Sequence, residues 1–202
     1  MDCQQIMDVF LETGVIRKGH FQLASGRHSD MLLSSANLFE HPEYTEKLAK
    51  ELASYFADEE IDYVVGPALG GVILSYEVAR QLGGKSIYCE RVNGKMMFKR
   101  GFAVAPGQRV LIVEDVVTTG ASLNEVYDLL NGMLATVIGV GVIIDRSGGR
   151  VDLPVPFKSL MDIDSVAYTS DECPMCKENI PLEKIDFLRR ASAWIPDNRI
   201  LI

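Results

Sequence analysis

The stretch that most restricts this chain's fold is Val110-Leu111-Ile112-Val113, which runs straight into two carboxylates, Glu114 and Asp115. A hydroxyl-rich turn, Thr118-Thr119-Gly120-Ala121-Ser122, follows two residues later. An unbroken aliphatic run with β-branching at Val110, Ile112 and Val113 suits a strand buried on both faces, which belongs in a parallel sheet covered by helices. Beyond the turn, Leu123, Val126, Tyr127, Leu130 and Leu134 recur at three- and four-residue spacing, the period of a helix. Ser122 and Glu125 form an S-x-x-E capping box at its start. A strand, a hydroxyl-rich loop and a helix N-terminus bring free N–H groups and the positive end of a helix dipole to one spot, where a phosphate is stabilised. Two carboxylates would repel that phosphate, so they suit another part of the same ligand. A ribose phosphate offers both, with vicinal hydroxyls for the acids and a 5-phosphate for the loop. The plainer alternative is a buried strand that happens to end in acids.

The alternation extends along the chain. Apolar runs at 61–65, 86–91, 110–115 and 137–144 read as strands, and 72–82 and 122–134 as helices between them. The segment 157–163 reads as an edge strand. This order predicts an α/β fold, a mainly parallel doubly wound sheet with its site at the carboxyl ends of the strands. Tyr44, Leu48, Leu52 and Phe56 mark a further helix on the core, and 2–13 a short amphipathic one. A length of 202 residues suits one domain, and a net charge of −8 argues against a general nucleic-acid or membrane surface. No apolar run approaches the roughly 20 residues of a membrane span, and the N-terminus has no signal-peptide pattern. A cytoplasmic protein with four reduced cysteines is expected.

Several shorter signals matter in an acidic chain. Gly66-Pro67-Ala68-Leu69-Gly70-Gly71 follows a strand, and its glycines either make a tight turn or let backbone N–H groups approach an anion. Gly84-Lys85-Ser86 is no phosphate-binding Walker loop, because the earlier glycine it needs falls at Ala79 and a strand follows. Asn93-Gly94 predicts a two-residue hairpin turn that sets Arg91, Lys95, Lys99 and Arg100 on one ribbon. Such a ribbon is either a solvated hairpin or a cationic flap for an anionic leaving group. Arg146 sits at a strand's carboxyl end, where a guanidinium can pair in two-point fashion with a carboxylate or lie in a surface turn. Residues 21–29 read as a hairpin around Gly26 and Arg27. Cys173-Pro174-Met175-Cys176 supplies two ligands, with no second pair or neighbouring histidine in the sequence to complete a zinc site. A reduced structural turn is the expectation, with a shared zinc site or redox pair as alternatives. The tail, 182–193 around Trp194, is expected to be helical.

With its acid pair, Thr-x-Gly turn and following helix in register, 110–122 resembles the phosphoribosyl diphosphate (PRPP) motif of the type I phosphoribosyltransferases. Over nearly all 202 residues the chain is most similar to the short-loop orotate phosphoribosyltransferases of bacteria and archaea. The resemblance implies one domain over 1–202, with a core at about 44–163 and a hood formed by about 14–40 and the C-terminal tail. It implies transfer of phosphoribosyl from PRPP to orotate through an oxocarbenium-like C1, giving orotidine 5′-monophosphate and pyrophosphate in pyrimidine (UMP) biosynthesis. Mg²⁺ would be held mainly by PRPP, and the enzyme would be a homodimer. By the same resemblance Glu114 and Asp115 hold the ribose hydroxyls, and Val116, Val117, Thr118, Thr119, Gly120, Ala121 and Ser122 the 5-phosphate. Gly70 and Gly71 belong to a pyrophosphate loop, and Arg91, with Lys95 and Lys99, stabilises the leaving group. Thr118 and Arg146 read the base, with Ser25 and Arg27 from the hood. Two departures stand out: Ala24 replaces a lysine common in the family, and the ribbon is short and lacks a histidine. The competing readings are a phosphoribosyltransferase for another base, such as a purine, and a non-catalytic PRPP-sensing regulator. The net charge of −8 and the lack of a basic arm weigh against the regulator.

Overall fold

Strands and helices alternate as the apolar pattern requires in the computed structural model, which describes residues 1–23, 25–164 and 166–184. In chain order the elements are α1 (Cys3–Glu12), β1 (Ile16–Gln22), β2 (His28–Leu33), α2 (Ala36–Phe39), α3 (Pro42–Ser54), β3 (Tyr63–Pro67), α4 (Gly70–Leu82) and β4 (Lys85–Val92). Then come β5 (Lys95–Phe98), β6 (Arg109–Val117), α5 (Ala121–Gly132), β7 (Thr136–Asp145), β8 (Phe157–Asp162), α6 (Pro174–Lys177) and β9 (Glu183–Lys184). The described residues divide into two compact units. The larger contains Met1–Ile16 and Leu33–Asp164; the smaller contains Arg17–Leu32 and the described residues after 165.

The larger unit is built on a six-stranded sheet in the order β5-β4-β3-β6-β7-β8. All neighbours are parallel except β5, which returns antiparallel on β4. The uninterrupted apolar runs fall in the central strands, where both faces are covered. Val110 and Ile112 of β6 and Val140 and Val142 of β7 pack with Leu123, Val126 and Leu130 of α5. On the opposite face β7 carries two glycines two residues apart, Gly139 and Gly141. A Cβ on Gly139 would lie 2.7 Å from the Phe56 ring, and one on Gly141 3.2 Å from Leu52. Phe56 and Leu52 therefore sit directly on the backbone of β7.

Several boundaries differ from the sequence reading. Helix α4 begins at Gly70 rather than 72, so both glycines of the turn belong to its first turn. The capping box predicted at Ser122 and Glu125 does not form: α5 starts at Ala121, its N-cap is Gly120 with a left-handed φ of 76°, and it has no side-chain cap. A capping box does form at α1, where the Asp2 carboxylate accepts from Gln5 N–H at 2.8 Å. The Asn93-Gly94 hairpin holds, with φ of 49° and 81°, both positive as a type I′ turn requires.

The smaller unit is a three-stranded sheet, β2-β1-β9, with β9 parallel to β1. Its hairpin turn is closed by Leu23 N–H donating to the Arg27 carbonyl at 2.8 Å. The tail expected to be helical begins instead as β9, because Glu183 pairs with Phe21. The remainder of that expected helix, with Trp194, lies outside the described residues.

The glycines on β7 generate a stability prediction. Gly139→Ala forces a methyl against the Phe56 ring and should cost about 1–3 kcal/mol. Gly132→Ala, at the end of α5 with nothing within 4 Å of the new carbon, should be neutral or stabilise by roughly 0.5 kcal/mol. Urea unfolding of both variants checks this, and equal midpoints would remove the close helix–sheet approach.

Candidate active site

Strands β3 and β6 lie side by side in parallel register, Val65 opposite Ile112, so their carboxyl ends open at the same edge. From β3 the chain passes through Ala68 and Leu69, joined by a cis peptide bond, into α4. From β6 it presents Glu114 and Asp115. Glycine alone permits what happens between them. A Cβ on Gly70 would fall 2.2 Å from Asp115 Oδ2 and 2.6 Å from Oδ1. A Cβ on Gly66 would fall 1.9 Å from the Gly71 carbonyl oxygen. The first turn of α4 is thereby folded onto β3, with the Asp115 carboxylate seated directly over Gly70.

Glu114 is half-buried beside this carboxylate, and Asp115 N–H donates to its Oε1 at 3.2 Å. Burial first, then the hydrogen bond and negative field of Asp115, push its pKa up to about 9. At neutral pH Glu114 therefore holds its proton.

The phosphate-suited loop has the predicted shape with a different cap. Ala121 N–H donates to Thr119 Oγ1 at 3.3 Å, and Asn124 Nδ2 donates to the Gly120 carbonyl at 3.0 Å. Glu114 and residues 116–123 line a concave pocket of about 60 Å³, sized for one small anionic group. A larger groove of about 580 Å³ lies in the same unit, where Gln5, Asp8, Lys47, Lys50 and Glu51 line it. It includes no strand end and no glycine loop, so it lacks the convergent donors that define a site.

Arg146 stands at the end of β7, and its N–H donates to the Val117 carbonyl at 2.8 Å, tying it to the phosphate loop. Asp145 Oδ1 accepts from Ser147 N–H at 2.6 Å and shapes the turn. Thr118 is exposed next to that anchor. The cationic ribbon is the β4–β5 hairpin, but most of its charge is already paired. Arg91 Nη1 bonds both Glu125 oxygens, at 2.9 and 2.8 Å, and the Gly94 carbonyl at 2.9 Å. Glu125 is thus drawn away from the capping box. Glu90 takes Lys99 at 3.6 Å and Arg100 at 3.3 Å, whereas Lys95 forms no ion pair among the described residues.

In the smaller unit Ser25 and Arg27 are exposed on the β1–β2 turn, and the Arg27 guanidinium donates to the Ala167 carbonyl. Cys173 and Cys176 are free thiols with no histidine near them in the sequence, yet folding brings His20 and His28 against them. Sequence reasoning also missed Gly70 as clearance for Asp115 and Gly66 as clearance for the Gly71 carbonyl. Their one signal was two glycines flanking a strand end.

A family model described as phosphoribosyl transferase domain matches residues 34–172. Among curated proteins, the chain is 52% identical over 184 residues to the orotate phosphoribosyltransferase of Thermoanaerobacter sp. (strain X514), covering 91% of this chain and 97% of that one. Among solved structures, it resembles the orotate phosphoribosyltransferase of Aeropyrum pernix with a TM-score of 0.65 and 24% identity, over 78% of this chain and 93% of that one. The adenine phosphoribosyltransferase of Saccharomyces cerevisiae, complexed with an iminoaltritol bisphosphate and adenine, gives a TM-score of 0.65 at 19% identity, over 79% and 99%. These structural likenesses carry the fold alone.

The Glu114 proton sets a pH dependence. The native state keeps that proton up to about pH 9, whereas the unfolded chain loses it near the ordinary carboxylate value of 4.5. Between those limits the native state binds more protons, so this group's contribution to stability falls as pH rises. Glu114→Gln should flatten that fall, measured as the difference in denaturant midpoint between pH 5 and pH 9. An unchanged difference would show that Glu114 ionises normally.

Proposed function

The chain belongs to the phosphoribosyl transferase family, and from that premise we propose that it is an orotate phosphoribosyltransferase, joining orotate to PRPP to give orotidine 5′-monophosphate and pyrophosphate. The observation that carries this reading is the seating of Asp115 on Gly70 beside the phosphate loop, so that one strand end offers acids and anion-binding N–H groups together. The choice of base rests on the 52% identity to an orotate enzyme, since the adenine enzyme shares the fold as well. A cytoplasmic homodimer belongs to the same reading, supported by the resemblance alone.

In this reading Glu114 and Asp115 hold the ribose hydroxyls while the loop of Val116, Val117, Thr118, Thr119, Gly120, Ala121 and Ser122 takes the 5-phosphate. Hydroxyl donors favour the ionised carboxylate, so binding releases the Glu114 proton to solvent. Both carboxylates then face the positive charge that develops at C1 as its bond to pyrophosphate breaks. Catalysis is positioning plus fixed charge. Gly70 and Gly71, at the N-terminal turn of α4, receive the pyrophosphate with backbone N–H groups. Arg91, Lys95 and Lys99 balance its charge as it leaves. Thr118 and Arg146 orient the base, the guanidinium pairing with the orotate carboxylate. The resemblance adds Ser25 and Arg27 to the base contacts. The hard oxygen donors of Glu114 and Asp115 would suit a Mg²⁺ that PRPP brings. When bound, the ion neutralises phosphate oxygens and keeps several waters.

A spectrophotometric screen of orotate, uracil and purines with PRPP and Mg²⁺ tests the assignment; orotate should be consumed, and turnover of a purine instead would overturn it. Within that assay Arg146→Ala should raise the KM for orotate by about tenfold or more, leaving that for PRPP within about twofold, since a two-point guanidinium–carboxylate pair is worth ~1.5–3 kcal/mol. Equal effects on both would take Arg146 out of base recognition. Asp115→Asn and Gly70→Ala should each lower kcat by about 10²-fold, the first by removing charge and the second by displacing it. Circular dichroism should remain native, and near-normal turnover in either variant would refute the sugar clamp.

A further inference from the structure

Four side chains in the smaller unit converge outside the proposed active site: His20 from β1, His28 from β2, and Cys173 and Cys176 around α6. One nitrogen or sulfur from each lies within 4.8 Å of all the others. His20 Nε2 is 3.0 Å from His28 Nδ1, 3.5 Å from Cys173 Sγ and 3.7 Å from Cys176 Sγ, and Cys176 Sγ is 3.2 Å from His28 Nδ1. A tetrahedral zinc ion with its usual bond lengths sets ligand atoms about 3.3 Å apart for two nitrogens and about 3.6 Å for nitrogen and sulfur. These four of the six edges lie within about 0.4 Å of that tetrahedron's, and the other two are no longer than 4.8 Å.

The surroundings are those of a ligand set. His20, His28 and Cys173 are buried, Cys176 is half-buried, and both cysteines are free thiols. His20 Nδ1 lies 2.8 Å from the Ile180 carbonyl. That oxygen can only accept, so Nδ1 carries the hydrogen and Nε2 turns its lone pair into the cluster. Fixing a histidine tautomer this way is the usual outer support of a metal ligand. Two thiolates and two neutral imidazoles cancel the charge of a divalent ion, which lets the centre be buried without an unpaired charge. Soft sulfur with imidazole at tetrahedral spacing selects zinc over magnesium.

We propose that His20 Nε2, His28 Nδ1, Cys173 Sγ and Cys176 Sγ bind one structural zinc ion. Binding takes up Zn²⁺, forms four metal–ligand bonds and releases both thiol protons to solvent. The need is physical. The smaller unit is a short sheet whose buried apolar side chains among the described residues are few, Phe21 and Met175 chief among them. A unit of that size commonly requires a staple. The ion also joins segments 153 residues apart in sequence, a long loop whose closure it would hold. Through His28 it anchors the strand that starts immediately after the Arg27 turn.

The test is elemental analysis of the full chain, purified without a histidine tag. About one zinc per chain is expected, and Cys176→Ser and His28→Gln should each lose most of it. Where a variant fails to fold, the wild-type protein decides the matter: stripped by a chelator under reducing conditions and given Co²⁺, it should show the thiolate charge-transfer and intense visible bands of tetrahedral cobalt. Added Zn²⁺ should then abolish those bands, and metal removal should lower the melting temperature. Metal-free protein that takes up neither ion would overturn the proposal. So would zinc content unchanged in both variants, or a Cys173–Cys176 disulfide that still binds no metal after reduction.

Discussion

A carboxylate resting on the first turn of a helix, with only a hydrogen atom of Gly70 between them, is the arrangement on which the proposed active site depends. It requires the carboxyl ends of β3 and β6 to be level, which their parallel register supplies, and it requires α4 to leave β3 without delay, which Gly66 and Gly71 permit. Negative charge at a helix N-terminus is favourable, so Asp115 and α4 stabilise each other before any ligand arrives. Burial, reinforced by the hydrogen bond and negative field of this neighbour, keeps Glu114 neutral.

The resulting site is economical in formal charge. A protonated Glu114 and its neighbour Asp115 face a loop of N–H groups and hydroxyls, and the Arg91 guanidinium on β4 is already matched by Glu125. An acidic chain can thus hold a polyanionic substrate without a large basic surface. The contact between Arg146 N–H and the Val117 carbonyl adds rigidity, because the ends of β6 and β7 move as one.

Much of this was legible in the sequence because it is written locally. Apolar runs marked the central strands to within two or three residues, the three-four spacing marked α3 and α5, and Asn93-Gly94 marked its own turn. What escaped depends on partners distant along the chain. The Ser122–Glu125 box was a sound local signal, yet Glu125 found Arg91, 34 residues away, and a left-handed Gly120 started the helix instead. Helix α4 takes in Gly70 and Gly71, two residues of poor helix propensity, and Gly70 there lies against Asp115. The Cys-x-x-Cys pair seemed incomplete because His20 and His28 are about 150 residues upstream, and pairing of β1 with β2 brings both histidines to one place.

The pairing of Arg91 with Glu125 carries a consequence of its own. Both side chains are substantially solvent-exposed, and an ion pair in that setting contributes at most about 1 kcal/mol. In the proposed reaction, a pyrophosphate that grips several donors at once would therefore have little internal attraction to overcome on replacing Glu125 as the partner of Arg91.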